Sequence, residues 1–173
     1  VGSDALLPRA FAAYLARCTA EAGDAVAAAA LRLEAAMLEA RRAPRRGAVA
    51  PGPGEVALAP EARLVRLPRG TTATVAAVRE RLEAGEGLDR AAVLLGPGDE
   101  TALIVAGPRR GPRLAPVRVE ALEPPVDALL AALETPLAAA ARAAFAERHD
   151  ADVDALEAFL DALERDGAVL RGR

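Results

Sequence analysis

Along residues 25–42 the apolar positions Val26, Ala30, Leu33 and Met37 recur at offsets of four, seven and eleven. That spacing predicts one amphipathic helix. Arg41 and Arg42 stand in its last turn, where positive charge complements the helix dipole, and Pro44 ends it. A shorter stripe of Leu7, Phe11, Tyr14, Leu15 and Cys18 predicts a helix before it, with Asp24 as the N-cap of the second. Residues 43–60, "APRRGAVAPGPGEVALAP", are rich in Pro and Gly and read as a linker or surface loop without regular structure.

The period then changes. Residues 62–68 set Leu64, Val65 and Leu67 among arginines and predict a strand. Residues 71–85 return to helical spacing, with Val75, Val78 and Leu82 on one face and Gly85 at the stop. In 91–107 two apolar runs flank Gly96, Pro97, Gly98 and Asp99, which predicts a hairpin. After a turn at 108–113, residues 114–122 predict a third strand, Val117 and Val119 inward, Arg118 and Glu120 outward. Pro116 lacks a backbone donor, which suits an edge strand.

Three helices follow. The first opens on Pro124 and buries Val126, Leu129, Leu130 and Leu133. The second is expected to take Thr135 as N-cap and Pro136 as first helical residue, stacking Leu137, Ala141 and Phe145. The third sets Leu156, Phe159, Leu160 and Leu163 on one face, stops at Gly167 and leads into a stub of strand at 168–170. The expected fold class is α+β: an N-terminal helical pair, a small antiparallel sheet, then a three-helix winged helix-turn-helix domain of peptide-recognition type. The expected division is a helical docking region at 1–46, a linker at 47–62 and the strand-rich domain at 63–173.

Composition narrows the core. Hydrophobic residues make up 53%, yet only three Phe and one Tyr are aromatic, so Leu, Val and Ala must pack it. There is no lysine, so every fixed cation outside the N-terminus is arginine. A net charge of −3 argues against a general nucleic-acid binder. One cysteine allows no intrachain disulfide, and with no apolar run of membrane-spanning length or signal core the expected location is the cytoplasm.

Catalytic motifs do not emerge. His149 and Cys18 are the only members of their types, and neither has ligand-spaced companions. The glycines at 96 and 98 precede no Gly-Lys-Ser/Thr, so they read as turn glycines, not a phosphate loop. Arginines cluster at 41, 42, 45 and 46, at 63, 66 and 69, and at 109, 110 and 113, where phosphate or acidic peptide could meet them; solubilisation is the plainer role. The last helix region carries Asp152, Asp154, Glu157, Asp161, Glu164 and Asp166 against Arg165 alone. Phosphates would repel such a helix from a DNA groove. The other use of a winged helix, capture of an extended peptide on an edge strand beside the last helix, tolerates it.

In "ALRLEAAMLEARRAP" (30–44), "LAPEARLVRLP" (58–68), "AAVLLGPGDETALIVAG" (91–107) and "LAPVRVEALEPPVDALLAALE" (114–134), the chain resembles the partner subunits of multinuclear non-haem iron-dependent oxidases, of the methanobactin-biosynthesis type. The resemblance spans roughly residues 26–170 and consists of segment order and short phrases; Ala35 and Ala59 stand where the family often has an aromatic and a histidine. It implies a non-catalytic accessory subunit without its own cofactor. Such a subunit forms a heterodimer with a barrel-type enzyme that holds the iron, and presents to it the leader of a ribosomally made precursor peptide. The expected peptide-binding residues are Val117, Arg118 and Val119 on the edge strand and Leu156, Phe159 and Leu163 beside it. The alternative is a winged-helix DNA-binding regulator that uses Arg109, Arg110 and Arg113 on phosphate. No membrane partner is expected.

Overall fold

In the computed structural model the described residues are 25–42, 47–84, 95–107 and 116–173. In chain order they form α1 (Ala25–Arg42), β1 (Val56–Leu58), β2 (Ala62–Pro68), α2 (Thr71–Glu83), β3 (Asp99–Ala106), β4 (Val117–Leu122), α3 (Pro124–Ala132), α4 (Ala139–Arg148), α5 (Val153–Arg165) and β5 (Val169–Arg171). The protein is α+β, with five helices and two small antiparallel sheets among the described residues. The short helix expected over Leu7–Cys18 lies outside them.

β3 is the centre of the three-stranded sheet, ordered β2-β3-β4. Its residues Thr101 to Ala106 are all buried because the sheet is covered on both faces. Ala102, Ile104 and Ala106 pack with Leu33, Met37 and Ala40 of α1. Leu103 and Val105 pack with Leu129, Leu130 and Leu133 at α3 and with Leu156, Leu160 and Leu163 of α5. An unbroken apolar run is what a strand covered on both faces requires. It also sets the place of α1. Leu33 and Met37 are 1% exposed, so that face covers the sheet.

Both edges of β3 are taken, by β2 along Asp99–Val105 and by β4 along Thr101–Ala106. The hairpin expected across Gly96–Asp99 therefore gives way to β2 as partner. Gly96 and Gly98 close that ladder: Gly96 donates to the Arg69 carbonyl and Arg69 donates to that of Gly98, both at 2.9 Å. The rest of the expected first arm, residues 91–94, lies outside the described residues. Among the described residues β4 is an edge strand, as Pro116 suggested.

Two local expectations fail for one reason, a strand inside the Pro/Gly-rich stretch. Val56, Ala57 and Leu58 are all buried in β1, which pairs with β5 through Val56–Arg171, Ala57–Leu170 and Leu58–Val169. On its other side Val56 exchanges bonds with Leu137, N–H to carbonyl at 3.0 and 2.8 Å. That bridge keeps Leu137 extended. The helix after it thus begins at Ala139, with Ala138 at the N-cap, and not at Thr135–Pro136. α5 starts at Val153: Asp152 caps it by accepting from the Ala155 N–H at 2.9 Å. Gly167, at φ +74°, takes the left-handed turn into β5.

Candidate functional site

Antiparallel pairs alternate between those that exchange backbone hydrogen bonds and those that do not. The Gly107 N–H donates to the Pro116 carbonyl at 2.8 Å, which fixes the phase of the β3–β4 ladder. The exchanging pairs are then Val105 with Arg118, Leu103 with Glu120 and Thr101 with Leu122. The N–H and C=O groups of Val117, Val119 and Ala121 consequently point outward, to an edge that no strand covers among the described residues. The opposite edge, β2, is less open, since the Arg66 carbonyl accepts from Arg32 Nη2 at 2.7 Å.

The side chains of β4 divide between the two faces. Val117 and Val119 pack toward α1 and border a cleft of about 290 Å³ with Leu33, Met37, Thr72, Val75, Ala76 and Glu80. Arg118 and Glu120 turn the other way, as strand alternation requires. Arg118 Nη1 meets Asp166 Oδ2, just past the end of α5, at 2.9 Å. This exposed pair is worth only ~0–1 kcal/mol. Its value is positional: it shows that β4 and the end of α5 are neighbours. Asp166 continues the helical row of Ala155, Phe159 and Ala162. Phe159 is 36% exposed, whereas Leu156 and Leu163 are each 8% exposed and belong to the core beneath it. Of the residues expected to bind peptide, Val117, Arg118 and Val119 form the open edge. Phe159 and Val153 are the large apolar side chains that α5 leaves exposed.

The acidic side of α5 is held internally. Arg171 of β5 pairs with Glu157 at 2.9 Å and Asp161 at 2.7 Å, across one turn of the helix. Its Nε lies 3.6 Å from Glu164, too far for a hydrogen bond and a contact of charge alone. From α4, Arg142 Nε donates to Glu157 at 2.7 Å, while its Nη1 donates to the carbonyls of Leu137 at 2.9 Å and Gly54 at 3.1 Å. Its side chain is only 6% exposed. Burial alone would raise the Glu157 carboxyl; the hydrogen bonds and charges of Arg142 and Arg171 outweigh it and hold the group below its ordinary value. Sequence reading missed this network because Arg142 sits among alanines and Arg171 lies past the last periodic residue. The spacing of Glu157, Asp161 and Glu164 was the available signal.

His149 ends α4 with its ring stacked on Phe145, centroids 4.2 Å apart, a packing role. No group of three or more His, Cys, Asp or Glu that could hold a metal occurs among the described residues. A polar cleft of about 400 Å³ lies between Arg66 and Arg69 on one side and Glu123 and Asp127 on the other. Glu100, in its wall, already accepts from the N–H groups of Gly70 at 2.7 Å and Thr72 at 2.8 Å and so caps α2. Cys18 and the arginines at 45, 46, 109, 110 and 113 fall outside the described residues. No described helix is long and apolar enough to cross a membrane. Comparison with family models, curated proteins and solved structures finds no match to this chain.

Proposed function

We propose that this chain is a non-catalytic partner subunit that captures the leader of a ribosomally made precursor peptide and presents it to an iron-dependent oxidase. The reading takes α3, α4 and α5 with β5 as a winged helix in which β1, from the N-terminal side, serves as the central wing strand. The observation that carries it is the open β4 edge. Outward N–H and C=O groups of Val117, Val119 and Ala121 offer main-chain hydrogen bonds to an added strand, and the exposed Phe159 of α5 shares a helical row with Asp166, which pairs with Arg118 of that strand. The resemblance of the sequence to oxidase partner subunits supplies the enzyme, which would bring the iron.

DNA reading by the same winged helix is the alternative. The carboxylates of α5, though partly neutralised by Arg171 and Arg142, leave no basic surface there to meet phosphate. The test is recovery of the tagged full chain from its native host, followed by mass spectrometry and iron analysis. A stoichiometric iron-bearing partner of barrel-enzyme size is the expected result. Recovery with DNA and without an iron protein would assign the winged helix to regulation and overturn the proposal.

A further inference from the structure

We infer that the cleft between α1, α2 and β4 is a side-chain pocket of the peptide site, taking one aliphatic or aromatic residue of an extended segment with basic residues beside it. This rests on strand capture at β4 and adds the side-chain class of what is captured.

A strand laid along β4 sends alternate side chains to opposite faces of the sheet. Val117 and Val119 send their backbone groups to the open edge and their side chains to the cleft, so a side chain of the added strand on that face arrives at the same opening. Its lining is mixed: Val75 and Ala76 of α2 stand beside Thr72 and Glu80, with the nearly buried Leu33 and Met37 of α1 as its floor. At about 290 Å³ the space is large enough to take one side chain of an added strand.

Charge sets the neighbours. Glu80 stands at the cleft, and Glu120 stands on the other face of β4. Among the described residues neither forms an ion pair and no basic residue lines the cleft. Among the described residues an incoming strand therefore meets carboxylate on both of its faces. Arginine or lysine next to the buried side chain is favoured there, and aspartate or glutamate is repelled.

The test uses random 12-residue peptides displayed on phage and selected on the immobilised full chain, with enriched sequences resynthesised for affinity measurement. The expected consensus is one aliphatic or aromatic position with arginine or lysine nearby and no acidic residue. Replacing that apolar residue by Ser should weaken binding roughly tenfold or more, in the range of a lost apolar pocket contact. Ala76→Trp, a substitution at an exposed wall position that fills the cleft, should do the same. Ala121→Pro should also abolish binding, because it removes an outward N–H. The peptide substitution keeps the test valid should Ala76→Trp impair folding. Binding that is lost in Ala121→Pro but indifferent to Ala76→Trp and to the peptide's Ser substitution would overturn the pocket and leave strand capture standing. Binding indifferent to all three would overturn both. A dimer of the free chain that Ala121→Pro dissolves would assign the edge to a second copy and overturn the peptide as occupant.

Discussion

Arg142 joins three separate stretches of chain: the loop before β1 through Gly54, the bridge through Leu137, and α5 through Glu157. Arg142→Ala leaves two carbonyls and a carboxylate without that donor. The expected cost is about 3 kcal/mol, the lower end for a broken buried pair because Glu157 is still 32% exposed. Chemical denaturation of the variant at neutral pH measures it. Glu157 also gives stability a pH dependence. Its carboxyl is held below the ordinary 4.5, so the unfolded chain takes up this proton at higher pH than the folded chain. The contribution is complete above that ordinary value and is lost as pH falls through the lower folded value. Melting curves from pH 6 to pH 3 should fall less steeply in Glu157→Gln than in the parent.

At the scale of elements, the phase of the β4 ladder makes adjacent residues respond oppositely to one substitution. Glu120→Pro removes an N–H that bonds to β3 and should destabilise the sheet by about 1 kcal/mol or more. Ala121→Pro removes an N–H that faces outward and should leave the melting temperature nearly unchanged. Equal loss in both would contradict the assigned phase. β5 has its own constraint. A Cβ at Gly172 would run into the Gly52 carbonyl, so Gly172→Ala should loosen the β1–β5 pair and speed amide exchange at Ala59, whose N–H bonds to the Ala168 carbonyl. The helices and the three long strands were legible because period 3.6 and apolar runs report burial directly. β1 was not: its three residues sit among prolines and glycines, and only the distant partners Arg171 and Leu137 make them a strand. The start of α4 was missed with it, since Thr135 and Pro136 carry a capping signal that the Leu137 bridge overrides.

At the scale of the whole molecule, the sheet is closed on both faces. α1 is one cover of the sheet and the C-terminal helices are the other. Residues 47–173 alone should therefore expose Leu67, Ala102 and Ile104, bind hydrophobic dye and lose cooperative unfolding. Within the full chain, Leu33→Ala should cost about 2–5 kcal/mol by denaturation. The candidate site was legible in part for the same reason. Val117, Arg118 and Val119 show their alternation in sequence, but the cleft beside them needs Leu33 and Met37 from α1, far away in the chain. The central claim is that Val117, Val119 and Ala121 present an open edge that a peptide strand completes. The most direct measurement is residue-resolved amide exchange of the full chain, alone and with the peptide recovered in complex from the host. Fast exchange at Val119 and Ala121 beside protected Arg118 and Glu120 is expected in the free chain, and protection of all four with peptide bound. Peptide binding that leaves Val119 and Ala121 exchanging as fast as before would contradict it.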